Sequence, residues 1–150
     1  MQKRRYLARL VLAVAAMLAG CQPSGNSPTV HTPWSAATPP GATVAAAYMK
    51  VRSPRADVLL GATSPVAASV EMHASTEEAG VMRMRPLANV ELQAGVPYDF
   101  TPGGAHFMLV GLHAPLASDS RYPLTLHFRD AGDVTVNVTV TVPGSGPPSD

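Results

Sequence analysis

The segment VTVNVTVTV at positions 134–142 alternates strictly between apolar and polar side chains. A period of two can hide one face from water only as a β-strand. The rest of the chain has the same grain. Its apolar stretches are short, twelve Gly and fifteen Pro break them up, and no 11-residue stretch carries a helical period. Candidate strands are 44–51, 57–62, 68–73, 81–85, 90–92, 98–101, 105–112, 124–129 and 134–142. Many short strands separated by turn signals predict an all-β domain, a β-sandwich or Greek-key barrel. The stretch they occupy, about 110 residues, is enough for one domain with its own core. No internal repeat is present.

The two ends read differently. Lys3, Arg4, Arg5 and Arg9 precede a short apolar run, Leu10–Leu18, which is too brief to span a bilayer comfortably. Leu18-Ala19-Gly20-Cys21 then looks like a bacterial lipobox. Residues 1–20 are thus expected to be an export signal, with Cys21 the lipidated first residue of the exported chain. An ordinary secretory signal with an incidental Cys is the alternative, which would release the protein to the periplasm. Gln22 after the Cys leans toward the outer membrane. Residues 21–32 read as the lipidated Cys and a flexible tether, 33–142 as the β domain, and 143–150 (PGSGPPSD) as a disordered tail.

Removing the signal changes the charge. Four of the eleven Lys and Arg lie in residues 1–20, leaving seven against ten Asp and Glu. With no basic stripe and few aromatics, nothing suggests nucleic acid. Cys21 is the only cysteine, so a lipidated chain keeps neither a free thiol nor a disulfide. Export to an oxidising compartment fits that economy. A blue-copper electron carrier, which needs a Cys thiolate, is disfavoured.

Four residues stand at an unusual spacing. His73 is followed after ten residues by Met84, then after twenty-one by His106, then after one by Met108. Two imidazoles and two thioethers make a soft, uncharged ligand set that suits Cu(I); zinc sites seldom recruit Met. Taken singly, each residue has a plainer reading. His73 could be a solvated strand-end histidine, and His106 and Met108 a surface His beside a packed Met. Alternation puts His106 and Met108 on one strand face, with Phe107 and Leu109 turned to the core. Pro102-Gly103-Gly104 supports a tight turn just before them, which places the pair near the rim. Met72 reads as core, and Glu71, sharing a face with His73, as an acceptor for an imidazole N–H. Met82 and Met84 share a face opposite Arg83 and Arg85. They are either core packing or part of an irregular edge overhanging the site. Of the other His, His31 lies in the tether, His113 could approach the rim, and His127 reads as a satisfied structural side chain.

The spacing resembles the histidine–methionine motif of the PCu(A)C-type periplasmic copper chaperone family, with all four positions and both gaps matched. Pro33–Trp34, PPGAT at 39–43, AAYMKV at 46–51, LLGATSPVA at 59–67, RMRPL at 83–87 and PLTLHF at 123–128 also look like family segments. The resemblance covers 33–142. It implies a cupredoxin-like fold and one Cu(I) per chain held by His73, Met84, His106 and Met108. It selects Met84 over Met82, which stays the nearest substitute. It also implies delivery to the CuA centre of cytochrome c oxidase, directly or through a thiol-bearing assembly protein. Some relatives carry a His- and Met-rich tail; this one has none, so a single site is expected. A copper buffer or scavenger without a dedicated acceptor is the alternative. A copper enzyme that activates oxygen is a further one, disfavoured because no general acid or base stands beside the motif and four ligands leave no open position. An envelope β domain without metal is the plainest.

Overall fold

The computed structural model describes Gly25 and residues 27–148. The proposed export signal, Cys21 and residues 22–24 and 26 of the tether lie outside the described residues. Among those described there are ten strands and no helix: β1 (Thr29–Ala36), β2 (Val44–Arg52), β3 (Asp57–Thr63), β4 (Ala67–Glu78), β5 (Val81–Pro86), β6 (Val90–Leu92), β7 (Pro97–Phe100), β8 (Ala105–Leu112), β9 (Arg121–Phe128) and β10 (Gly132–Thr141). They hydrogen-bond in the order β5-β4-β8-β2-β1-β10-β9-β3-β6, with β7 also on β2. β1 joins the two halves, running antiparallel to β2 and parallel to β10.

The path folds back on itself around one core. Phe107 and Leu109 from β8, Met49 and Val51 from β2, Met72 from β4, Leu124 and Leu126 from β9 and Val138 and Val140 from β10 belong to one buried cluster. The alternation of β10 works as expected, with Val138 and Val140 at 0% exposure and Thr135 and Asn137 in water. Phe100 from β7 stacks on Phe107, ring centroids 4.4 Å apart. Across the core, Ser35 of β1 hydrogen-bonds Tyr122 of β9 at 2.9 Å and donates to the Ala46 carbonyl, so the buried hydroxyls are paired. Burial pushes the Tyr122 phenol up to about 12, against a smaller lowering by the Ser35 hydrogen bond.

Each of the nine candidate strands is present, 90–92 and 105–112 with the expected bounds and the other seven with shifted ends. β1 was not foreseen, and it begins at Thr29, inside the stretch read as tether. Its sequence, TVHTPWSA, lacks alternation, because the register slips between His31 and Trp34, Thr32 takes φ 47° and Pro33 has no N–H to donate. β4 runs to Glu78 rather than stopping at His73. Beyond His73 it projects with β5 as a two-stranded arm whose residues are not buried, so no period marks it. The segment after β10 is described to residue 148, in turns.

Two local devices set the register on which the site depends. Ala79 and Gly80, at φ 52° and 77°, form the two-residue loop between the paired Glu78 and Val81, the type I′ geometry that suits strand twist. At the far end of β8, Gly111 takes φ 69° against Ala68. A Cβ there would stand 2.9 Å from the Ala68 Cβ, closer than two carbons can approach.

Candidate metal centre

The hairpin turn and the β4–β8 pairing together explain the spacing of the motif. In the β4–β8 ladder His73 stands opposite His106, and Glu71 opposite Met108. In the β4–β5 hairpin Met84 stands opposite Ser75 and Pro86 opposite His73. Met84 is therefore diagonal to His73, a relation that long side chains bridge. All these residues project from the outer face of the sheet, since Met72, Phe107 and Leu109 on the alternate positions fill the core.

The geometry is close. His73 Nδ1 lies 3.2 Å from Met84 Sδ, and Nε2 lies 3.0 Å from Glu71 Oε2. His106 Nδ1 lies 3.1 Å from the Gly104 carbonyl oxygen. A carbonyl or a carboxylate only accepts, so Nε2 of His73 and Nδ1 of His106 carry the protons. In the neutral ring this tautomer leaves Nδ1 of His73 and Nε2 of His106 as the lone-pair nitrogens. Anchoring one ring nitrogen to fix the tautomer of the other is the usual arrangement around a metal-binding histidine. The rings are 5.9 Å apart between centroids and nearly perpendicular, at 87°.

The histidines are buried although they lie on an outer face, His73 9% and His106 6% exposed. Met108 is half-buried and faces the small Ala46 of β2. Met84 and Met82 are more than half exposed, so neither is core packing, and Met84 reaches His73. Arg83 and Arg85 both pair with Glu78. Among the described residues, no three His, Cys, Asp or Glu are placed to hold a metal together. The convergence is instead of imidazole and thioether, with Glu71 beside them.

Sequence reasoning missed one wall of this site. Tyr48 lies 6.4 Å from His106 and Trp34 4.9 Å from Tyr48, centroid to centroid, and burial pushes the Tyr48 phenol up. Only the pairing of β1 with β2 and of β2 with β8 brings the aromatics there, and no local signal announces it. His113 does not approach the site. It follows the other end of β8, where its N–H donates to the Val66 carbonyl. His31 stands in β1 opposite Lys50. His127 bonds Asp133 and Thr63, at 2.7 and 2.9 Å, the satisfied role expected of it. Cys21 lies outside the described residues.

The family model of LpqE-like lipoproteins ("Putative lipoprotein LpqE-like") matches residues 29–140. The chain belongs to the LpqE-like family. A relative from Leifsonia xyli subsp. xyli (strain CTCB07), "Putative lipoprotein Lxx21020", is 32% identical over 130 residues, covering 86% of this chain and 77% of that one. Among solved structures, the LpqE-like chain is similar to the copper-bound PCuAC domain of PmoF2, with TM-score 0.65, 28% identity, and coverage of 78% of this chain and 94% of that one. It is also similar to Cu(I)-bound DR1885 from Deinococcus radiodurans, with TM-score 0.58, 29% identity, and coverage of 88% and 89%. The family resemblance read from the motif therefore holds. The fold is that of the PCuAC domains, cupredoxin-like and all-β.

Proposed function

We propose that this LpqE-like protein is a copper chaperone, which binds one Cu(I) as cargo through His73 Nδ1, Met84 Sδ, His106 Nε2 and Met108 Sδ. The approach of Met84 Sδ to His73 Nδ1 at 3.2 Å carries the reading. With metal–nitrogen and metal–sulfur bonds of about 2.0 and 2.3 Å, as at zinc, tetrahedral ligation sets the two atoms about 3.5 Å apart. The observed separation needs only a small adjustment to become that of two ligands on one ion. Relatives of the same fold hold copper by their names, which supports the choice of metal.

The donor set explains how such a carrier releases what it holds. Neutral thioethers do not offset the charge of Cu(I) as thiolates do, so a thiolate acceptor takes the ion by ligand exchange. Met84, exposed on an edge strand, is the ligand that an entering sulfur displaces. The recipient is the CuA centre of cytochrome c oxidase or a thiol-bearing assembly protein on the way to it. The chain is a carrier rather than a catalyst. Anchored by lipid at Cys21, it faces the periplasm, with the outer membrane the favoured side.

Copper K-edge absorption on the Cu(I)-loaded protein tests the ligand set, with two sulfur and two nitrogen scatterers expected. A sulfur-free shell contradicts it. Delivery is tested by mixing the loaded protein with an isolated CuA domain. Copper should move to that domain faster than it escapes to a chelator, and equal rates would leave a buffer.

A further inference from the structure

Methionine in this fold is core material wherever it serves packing. Met49 and Met72 are 3% and 4% exposed. Met82 departs from that pattern at 56% exposure, alongside Val81 at 55% and Met84 at 55%. An apolar side chain left in water adds nothing to folding. Its placement is orderly all the same. On the outer face of the β4–β5 arm, Met84 pairs with Ser75 and Met82 with Glu77. Residues two apart on a strand share a face at about 7 Å. A line of donors thus runs from the His73–His106 pair through Met84 to Met82, ending one residue short of the hairpin loop. The basic residues between them point the other way, tied to Glu78 at 3.4 and 3.3 Å. Among the described residues Glu77 makes no ion pair, and it stands opposite Met82 in the β4–β5 ladder.

We propose that Met82 and Glu77 form an outer, transient copper position through which Cu(I) passes between the His73–His106 site and a thiolate-bearing partner at the hairpin tip. This rests on the copper reading above and extends it. The bonds to His73, His106 and Met108 break as Cu(I) moves outward on Met84, and the bond to Met84 then breaks as the Cu(I)–sulfur bond to Met82 forms. No electron is transferred and no proton moves. Glu77 offsets the single positive charge while the ion has fewer ligands around it. Three rotatable bonds let each methionine reach across the gap. Neither residue belongs to the resting site, so the position governs how fast copper leaves rather than how tightly it is held.

The test is stopped-flow transfer of Cu(I) from the loaded protein to a synthetic two-cysteine peptide, paired with equilibrium affinity from chelator competition. Met82→Leu preserves volume on an exposed strand, so the fold tolerates it. Met82→Leu and Glu77→Gln should each leave the affinity within about twofold of the unsubstituted protein, while Met82→Leu slows transfer at least tenfold. Unchanged transfer by Met82→Leu overturns the proposal. So does a loss of affinity matching that of Met84→Leu, which would make Met82 a resting ligand. Failure of the copper reading itself is distinguishable, because the unsubstituted protein would then take up no Cu(I).

Discussion

Met84 Sδ touches His73 Nδ1 at 3.2 Å although the two residues belong to different strands and differ sharply in exposure. His73 is 9% exposed and Met84 55%. The contact exists because a two-residue loop at Ala79–Gly80 fixes the register of β4 on β5, leaving Met84 diagonal to the imidazole. A buried histidine is thus met by an exposed thioether on an edge strand.

Met84→Leu removes that sulfur while keeping its volume. Being exposed, the side chain contributes little to stability, so thermal unfolding should stay within a degree or two. Cu(I) affinity, read by chelator competition, should fall by roughly 10- to 100-fold. Equal affinity in the variant would show that Met84 is not a ligand.

Glu71→Ala tests the anchoring of His73. The carboxylate holds Nε2 at 3.0 Å and so presents Nδ1 to Met84. Loss of such a partner typically weakens metal binding by about 10-fold or more. The folded state should change little, because Glu71 is half exposed. A variant with native affinity would show that the ring needs no such hold.

Tyr122 gives the fold an alkaline limit. Burial pushes its phenol up to about 12, above the ordinary value of 10.0. Between those values the unfolded chain has lost the phenolic proton while the native state keeps it, so stability falls as pH rises. The contribution is fully present below pH 10 and is lost as pH passes through 12. The decline should amount to roughly 2 kcal/mol by pH 12. Denaturant unfolding across that window should show the slope in the native sequence and a shallower one in Tyr122→Phe.

Much of this was legible beforehand because periodicity reports burial. β10 shows it best, since Val134, Val136, Val138 and Val140 alternate with Thr135, Asn137, Thr139 and Thr141. The motif was legible for a related reason. Hairpin register and ladder register turn contact in space into fixed gaps in sequence, ten residues from His73 to Met84 and thirty-two from His73 to His106. β1 escaped because a bulge and Pro33 erase its period. The projecting half of β4 escaped because neither of its faces is buried. The Trp34–Tyr48 wall escaped because it depends on pairings between strands distant in the chain.

Register offers two further checks on the scaffold. Ala79 pays for φ 52° with a Cβ, so Ala79→Asn, a residue that suits the first place of a type I′ turn, should raise stability by about 1 kcal/mol and leave copper affinity unchanged. Gly111→Ala forces a Cβ to within 2.9 Å of Ala68 at a positive φ. It should destabilise by about 1–3 kcal/mol, seen as a lower Tm. Insensitivity at Gly111 would mean the β8 end can shift without cost.

The proposed site holds one Cu(I) between His73 and His106 with thioether support. Titration of Cu(I) into the protein carrying Cys21→Ser, which removes the proposed lipid anchor, against a colorimetric chelator under reducing conditions tests this. One tight equivalent is expected, abolished by His73→Ala with His106→Ala while circular dichroism still reports a folded β protein. Uptake that survives the double substitution, or no uptake by the parent, would contradict it.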